Sequence, residues 1–158
     1  MFVGIGPAGQ GRLRDATVLL AGCGGLGAES ASLLARAGVG RLRIVDRDVV
    51  DLTNLQRQAL YDEADVRGAV PKAVAAAWHL QAINSEVEFE PVVTDLHAGN
   101  VAVLLEGADL VMDGFDNFEG RYLLNDACVR AGLPWVYGAC VGTDMRERDA
   151  GLNPISDS

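Results

Sequence analysis

Thr17-Val18-Leu19-Leu20-Ala21-Gly22-Cys23-Gly24-Gly25-Leu26-Gly27 carries the strongest fold signal in the chain. An apolar run of β type feeds directly into G-x-G-x-x-G, and an amphipathic helical pattern follows. At the end of the next apolar run stands Asp46. That order is the dinucleotide fingerprint. Gly22 permits the tight turn, Gly24 lets the backbone approach a phosphate, and Gly27 lets helix and strand pack closely. The new helix directs its free N–H groups at an anion, and Asp46 is placed to accept hydrogen bonds from a ribose. A glycine turn serving packing alone is the competing reading. It leaves the joint arrangement of strand, helix and acid without a reason.

Outward from this stretch, strand and helix patterns alternate. Residues 1–16 read as a glycine-rich loop with a short helical lead-in. The first helix runs from Gly25 to Ala37, with Leu26, Ser30, Leu33 and Ala37 spaced along one face. The second strand is Leu42 to Asp46. A polar stretch from Arg47 to Gly68 has no long periodicity, and a loop of that length in a small domain usually serves function. Pro71 opens a second helix with Val74, Ala77 and Trp78 on one face. Residues 87–93 alternate as a third strand, and Pro91 places it at an edge. A short helix carries Val101, Leu104 and Leu105. A fourth strand covers Ala108 to Asp113, a helix Phe118 to Ala131, and a fifth strand Trp135 to Cys140. This alternation predicts an α/β, Rossmann-like, doubly wound and mainly parallel sheet with strand order 3-2-1-4-5. Its ligand belongs at the switch point between strands 1 and 4. The domain expected is 1–142, with 143–158 as a polar, disordered tail.

Composition narrows the function. The chain of 158 residues is 49% apolar, enough for one buried core. Its net charge of −9 argues against nonspecific binding to nucleic acid or an anionic membrane. No apolar run reaches the length of a membrane span, and Met1–Gly4 lacks the pattern of a signal peptide. Cys23, Cys128 and Cys140 are too scattered for a disulfide framework or a zinc site, so a reducing cytoplasm is expected. Cys23 reads as a small turn residue and Cys128 as core. Cys140, ending the fifth strand, invites a thioester role, with core as the stronger reading. His79 and His97 are isolated. Lys72 is the only lysine.

Asp46 alone suits NAD as well as ATP. The residues after it run Asp46-Arg47-Asp48-Val49-Val50-Asp51-Leu52-Thr53-Asn54-Leu55-Gln56-Arg57-Gln58. Here the chain resembles the ThiF/MoeB/HesA family, bacterial relatives of the ubiquitin-activating enzymes. The match is D-x-D-x-V-x-x-x-N-L-x-R-Q after G-x-G-G-L-G, joined by Pro71-Lys72, by Asp116-Asn117 with Arg121 and Asn125, and by Gln10 and Leu13 in the lead-in. The resemblance covers about residues 6–142.

It implies adenylation: ATP and magnesium are bound, and the C-terminal glycine carboxylate of a ubiquitin-like sulfur-carrier protein is activated as an acyl-adenylate. It further implies roles for single residues. Arg57 makes forked contacts to phosphate oxygens and Lys72 supplies a point charge. Asp116 holds magnesium. Asp46 fixes the ribose and Asn54 contacts phosphates or ribose. Gly22, Gly24, Gly25, Gly27, Asp48 and Asn117 complete the nucleotide-binding set. Each role has a plainer rival: Asp46 capping its loop, Arg57 at the surface, Lys72 solvated in a first helical turn, Asp116-Asn117 as an N-cap pair, and Arg121 as a structural residue.

Two departures from the family pattern stand out. Met1 to Gly9 contains no arginine where relatives carry R-Y-x-R-Q, and the sequence stops after the fifth strand where relatives continue. The expectation is therefore the nucleotide half of an activating enzyme, pairing as a homodimer. An ATP- or AMP-binding module without turnover and an NAD-dependent oxidoreductase stay open beside it.

Overall fold

The computed structural model describes residues 6–138. The order is α1 (Gly6–Asp15), β1 (Thr17–Ala21), α2 (Gly25–Ala37), β2 (Arg41–Val45), a 3-10 turn (Leu52–Asn54), α3 (Glu63–Arg67), α4 (Lys72–Ile83), β3 (Glu88–Val92), α5 (Val101–Leu105), β4 (Leu110–Asp113), α6 (Phe118–Ala131) and β5 (Trp135–Tyr137). The five strands form one sheet ordered β3-β2-β1-β4-β5. Every pairing is parallel. This is the doubly wound topology expected from the alternation. β3 lies at an edge, and its Pro91 is exposed, where a missing N–H costs no ladder bond.

β1 lies at the centre of the sheet and is buried on both faces. Val18 and Leu20 point into one core with Ala28, Ala31 and Ala35 of α2 and with Ala73, Ala76 and Leu80 of α4. Leu19 and Ala21 point into the other with Val101 and Leu105 of α5 and Leu124 and Cys128 of α6. The period-2 alternation of a strand therefore feeds two helical layers.

The face expected for α2 is wrong. Leu33 is 67% exposed and Leu26 is exposed as well. The buried side is Gly27, Ala28, Ala31 and Ala35. Small residues let the helix lie close to the sheet, so contact area comes from proximity rather than side-chain size. Trp78 of α4 is likewise exposed, and Ala73, Ala75, Ala76 and Ala77 face inward.

The polar stretch after β2 also holds more order than expected. Asp51 caps the 3-10 turn, with Asn54 returning a bond to Asp51 N–H. Asp62 caps α3 in the same reciprocal way with Asp65. His79 reaches Asp65 Oδ2 at 2.8 Å and ties α3 to α4. The expected tail 143–158 and Cys140 lie outside the described residues. No described helix is long and apolar enough to cross a membrane.

Candidate functional site

The glycine turn closes against three chain segments at the carboxyl ends of the central strands. Gly22 N–H donates to Val45 O at 2.8 Å, and Gly114 N–H donates to Ala21 O at 2.8 Å. Gly22 has φ +88°, a conformation that glycine adopts without strain. A Cβ on Gly27 would collide with Gly22 O, so β1, the turn and α2 meet at a distance that no other residue allows. A Cβ on Gly24 would meet the Gln58 amide at 3.7 Å, and one on Gly25 would meet Arg57 O at 3.3 Å. The segment after β2 is thus packed against the bend.

Asp46 bridges the two. Its Oδ2 accepts from Cys23 N–H at 2.7 Å and its Oδ1 from Asp48 N–H at 2.8 Å. Burial raises its carboxyl above the ordinary value, although both backbone bonds and the Lys72 charge pull it down. Capping of the following loop and attachment to the glycine bend coexist in this one side chain.

Lys72 is the buried cation of the site. Residues 48–50 and 70–72 approach antiparallel: Val50 N–H donates to Val70 O, and Lys72 N–H to Asp48 O. This places Lys72 Nζ 3.0 Å from Asp48 Oδ2, with the lysine side chain 8% exposed. A solvated first-turn lysine is therefore excluded. Through Asp48, whose N–H donates to the same Asp46 carboxylate that accepts from Cys23 N–H, the lysine is tied to the bend. Arg57 is arranged differently. Its backbone abuts Gly25, while its exposed guanidinium donates to Thr53 O at 3.0 Å.

Beyond β4, Gly114 packs against Gly22 and Gly27. Asn117 Oδ1 accepts from Gly120 N–H at 2.8 Å and caps α6. Asp116 is exposed and makes no hydrogen bond among the described residues. The structure thus gathers Gly22, Gly24, Gly25, Gly27, Asp46, Asp48 and Lys72 at one rim, with the loop carrying Asp116 and Asn117 against the same bend. Asn54 spends its side-chain oxygen on the local turn, and its amide nitrogen makes no bond among the described residues.

Four further residues line this rim, and of these Asp113 and Tyr61 had no role in the sequence reading. Asp113, 1% exposed, accepts from Arg121 Nε at 3.1 Å and from Phe115 N–H at 2.9 Å. Arg121 also donates to Phe115 O and Gly138 O, and its guanidinium lies 5.3 Å from the Tyr137 ring centroid. It thereby braces the β4 exit loop against the end of β5, the structural role already weighed for it. Tyr61 donates to Cys23 O at 2.6 Å. Gln58 is 3% exposed, and its Oε1 has no partner among the described residues. The motif spacing of Arg57-Gln58 pointed to the last of these; nothing in the sequence marked Tyr61.

A parallel, doubly wound sheet with a glycine bend, a strand-end acid and a buried lysine at its switch point places the chain in the Rossmann-like α/β class. The comparisons narrow this. Residues 1–146 match the ThiF family, and the chain belongs to that family. It is 48% identical over 143 residues to the sulfur carrier protein ThiS adenylyltransferase of Bacillus subtilis, covering 90% of this chain and 43% of that protein. It is 47% identical to the SAMP-activating enzyme E1 of Haloferax volcanii, covering 85% and 49%. Among solved structures it is similar to E. coli tRNA N6-threonylcarbamoyladenosine dehydratase, TcdA, in complex with ATP. There the TM-score is 0.79 at 30% identity, over 84% of this chain and 54% of that one. The chain spans about half the length of these relatives.

Proposed function

We propose that this chain binds ATP at the glycine bend and activates the C-terminal glycine carboxylate of a ubiquitin-like sulfur-carrier protein. The observation that carries the reading is Lys72: a lysine buried beside Asp46 and the bend, in a chain whose relatives are named as sulfur-carrier adenylyltransferases. At the first turn of α4 the helix dipole opposes the Lys72 charge, and among the described residues Asp48 is its one ion-pair partner. Phosphate oxygens there supply what the helix dipole does not.

In the reaction, a carboxylate oxygen of the carrier attacks the α-phosphorus of ATP. A P–O bond forms and the bond to the β-phosphate bridging oxygen breaks. Pyrophosphate leaves and the acyl-adenylate remains. Both reactants are anionic, so catalysis consists of placing positive charge and aligned donors around them. Asp46 binds the ribose hydroxyls through the lone pairs its backbone bonds leave free. Lys72 and the first N–H groups of α2 face the phosphates. Arg57 turns from Thr53 O to the outer phosphates, a rotation its exposure permits. Asn54 has its amide free to donate, and Gly25, Asp48 and Asn117 hold the walls.

The donor set fits magnesium: Asp116 offers an exposed carboxylate with unspent oxygens, and this hard cation takes one or two carboxylates plus phosphate oxygens. Bound at Asp116, it would offset the charge gathering on the leaving pyrophosphate.

The same reading carries a homodimer, supported by the exposed apolar side chains Leu33, Phe118, Tyr122 and Val129. It also carries a reducing, cytoplasmic setting, supported by free, buried Cys23 and Cys128. The deciding experiment mixes the chain with ATP, magnesium and a Gly-Gly-ended carrier and measures pyrophosphate. Release that requires the carrier supports the proposal; none above background refutes turnover. Nucleotide binding without release leaves the binding module.

A further inference from the structure

We infer that Tyr61 is a positioning residue for the nucleotide site: its hydroxyl fixes the direction in which the Gly24 N–H points. The inference rests on the nucleotide reading above.

The two peptide groups of the bend are held separately. The Gly22–Cys23 peptide is anchored by its N–H, which donates to Asp46 Oδ2 at 2.7 Å. The Cys23–Gly24 peptide is anchored by its carbonyl, which accepts from the Tyr61 hydroxyl at 2.6 Å. Tyr61 is 6% exposed and belongs to the core beneath the bend. In a planar trans peptide the C=O and N–H point in opposite directions. A carbonyl drawn inward to Tyr61 therefore turns the Gly24 N–H outward, away from the core. That N–H has no acceptor among the described residues, as expected of a donor held for a ligand at the start of a helix.

Among the described residues only the Tyr61 hydroxyl holds this polarity. Gly24 has no side chain to restrict rotation of the peptide before it, and no other described group bonds the Cys23 carbonyl. Without the hydroxyl, that carbonyl loses its buried partner and gains by turning outward to solvent. It would then present an oxygen to the phosphate where a donor is needed. Burial holds the Tyr61 hydroxyl far above its ordinary titration range, so it stays a donor at every working pH.

The test compares the full chain with Tyr61→Phe by calorimetric titration with ATP and with adenosine. Loss of one donor to an anion weakens ATP by about tenfold or more, while adenosine, which has no phosphate to meet the Gly24 N–H, keeps its affinity. An unchanged ATP affinity, or an equal fall for both ligands, overturns the role of Tyr61. Wild-type protein that binds no ATP overturns the nucleotide reading itself and this inference with it. If Tyr61→Phe does not fold, the wild-type chain decides by NMR. The Gly24 amide proton moves downfield with ATP and stays in place with adenosine; indifference to ATP overturns the assignment.

Discussion

Lys72 Nζ and Asp48 Oδ2 lie 3.0 Å apart in an unequal pair: the lysine side chain is 8% exposed and the aspartate 55%. Water still reaches Asp48, so the lysine depends on its partner more than the reverse. Lys72→Met fills the same space without charge and keeps the fold. It weakens ATP binding tenfold or more, because a direct phosphate contact is lost. Asp48→Asn leaves the cation buried with less compensation and lowers stability by about 1–3 kcal/mol, read from urea midpoints.

Arg121 is predicted to be irreplaceable by lysine. One guanidinium serves Asp113, Phe115 O and Gly138 O at once, and an ammonium has no fork with which to do so. Arg121→Lys and Arg121→Met both leave Asp113 short of a partner at 1% exposure, at a cost of about 3 kcal/mol. Chemical denaturation checks it. Near-wild-type stability of the lysine variant contradicts the brace.

Gly27→Ala is the sharpest packing test. The added Cβ would collide with Gly22 O, a backbone atom that no rotamer change can move. Separating α2 from the bend costs about 2–3 kcal/mol and removes ATP binding along with stability. Gly11→Ala, where a Cβ meets nothing within 4 Å on the exposed face of α1, is the matched control: it leaves ATP binding unchanged and raises stability by up to about 1 kcal/mol.

Asp46 gives a pH signature. Burial holds its carboxyl above the ordinary 3.8, so over that window the folded chain keeps a proton that the unfolded chain has released. Stability from this group is therefore greatest below 3.8 and falls as pH rises through the native value. Urea midpoints against pH should show this downward contribution in wild type and lose it in Asp46→Asn. The asparagine also gives up one of two backbone acceptor sites, so the comparison is of slopes rather than absolute stability.

Strand β1 and helices α2 and α6 stand where periodicity and end signals placed them, because Gly24, Gly38, Asn117 and Gly132 mark their ends chemically. The nearness of the glycine bend and Asp46 was equally legible, since parallel pairing of β1 with β2 puts both at the same end of the sheet. What stayed hidden depends on approach between segments. The α2 face misled because Leu26 and Leu33 are large and helically spaced, whereas the contact selects small residues. Burial of Lys72 follows from the antiparallel bridge of Val49 with Pro71, which no local pattern announces. The capping pairs Asp51–Asn54 and Asp62–Asp65 were visible as D-x-x-N and D-x-x-D, but without an apolar run behind them they do not read as helix starts.

A triphosphate nucleotide is proposed to settle on the glycine bend beside Lys72. Calorimetric titration with ATP and magnesium, repeated in the presence of excess NADH, decides this. Saturable binding of ATP at one site per chain, undisturbed by NADH, is the expected result. Tight NADH binding that ATP fails to displace would refute it.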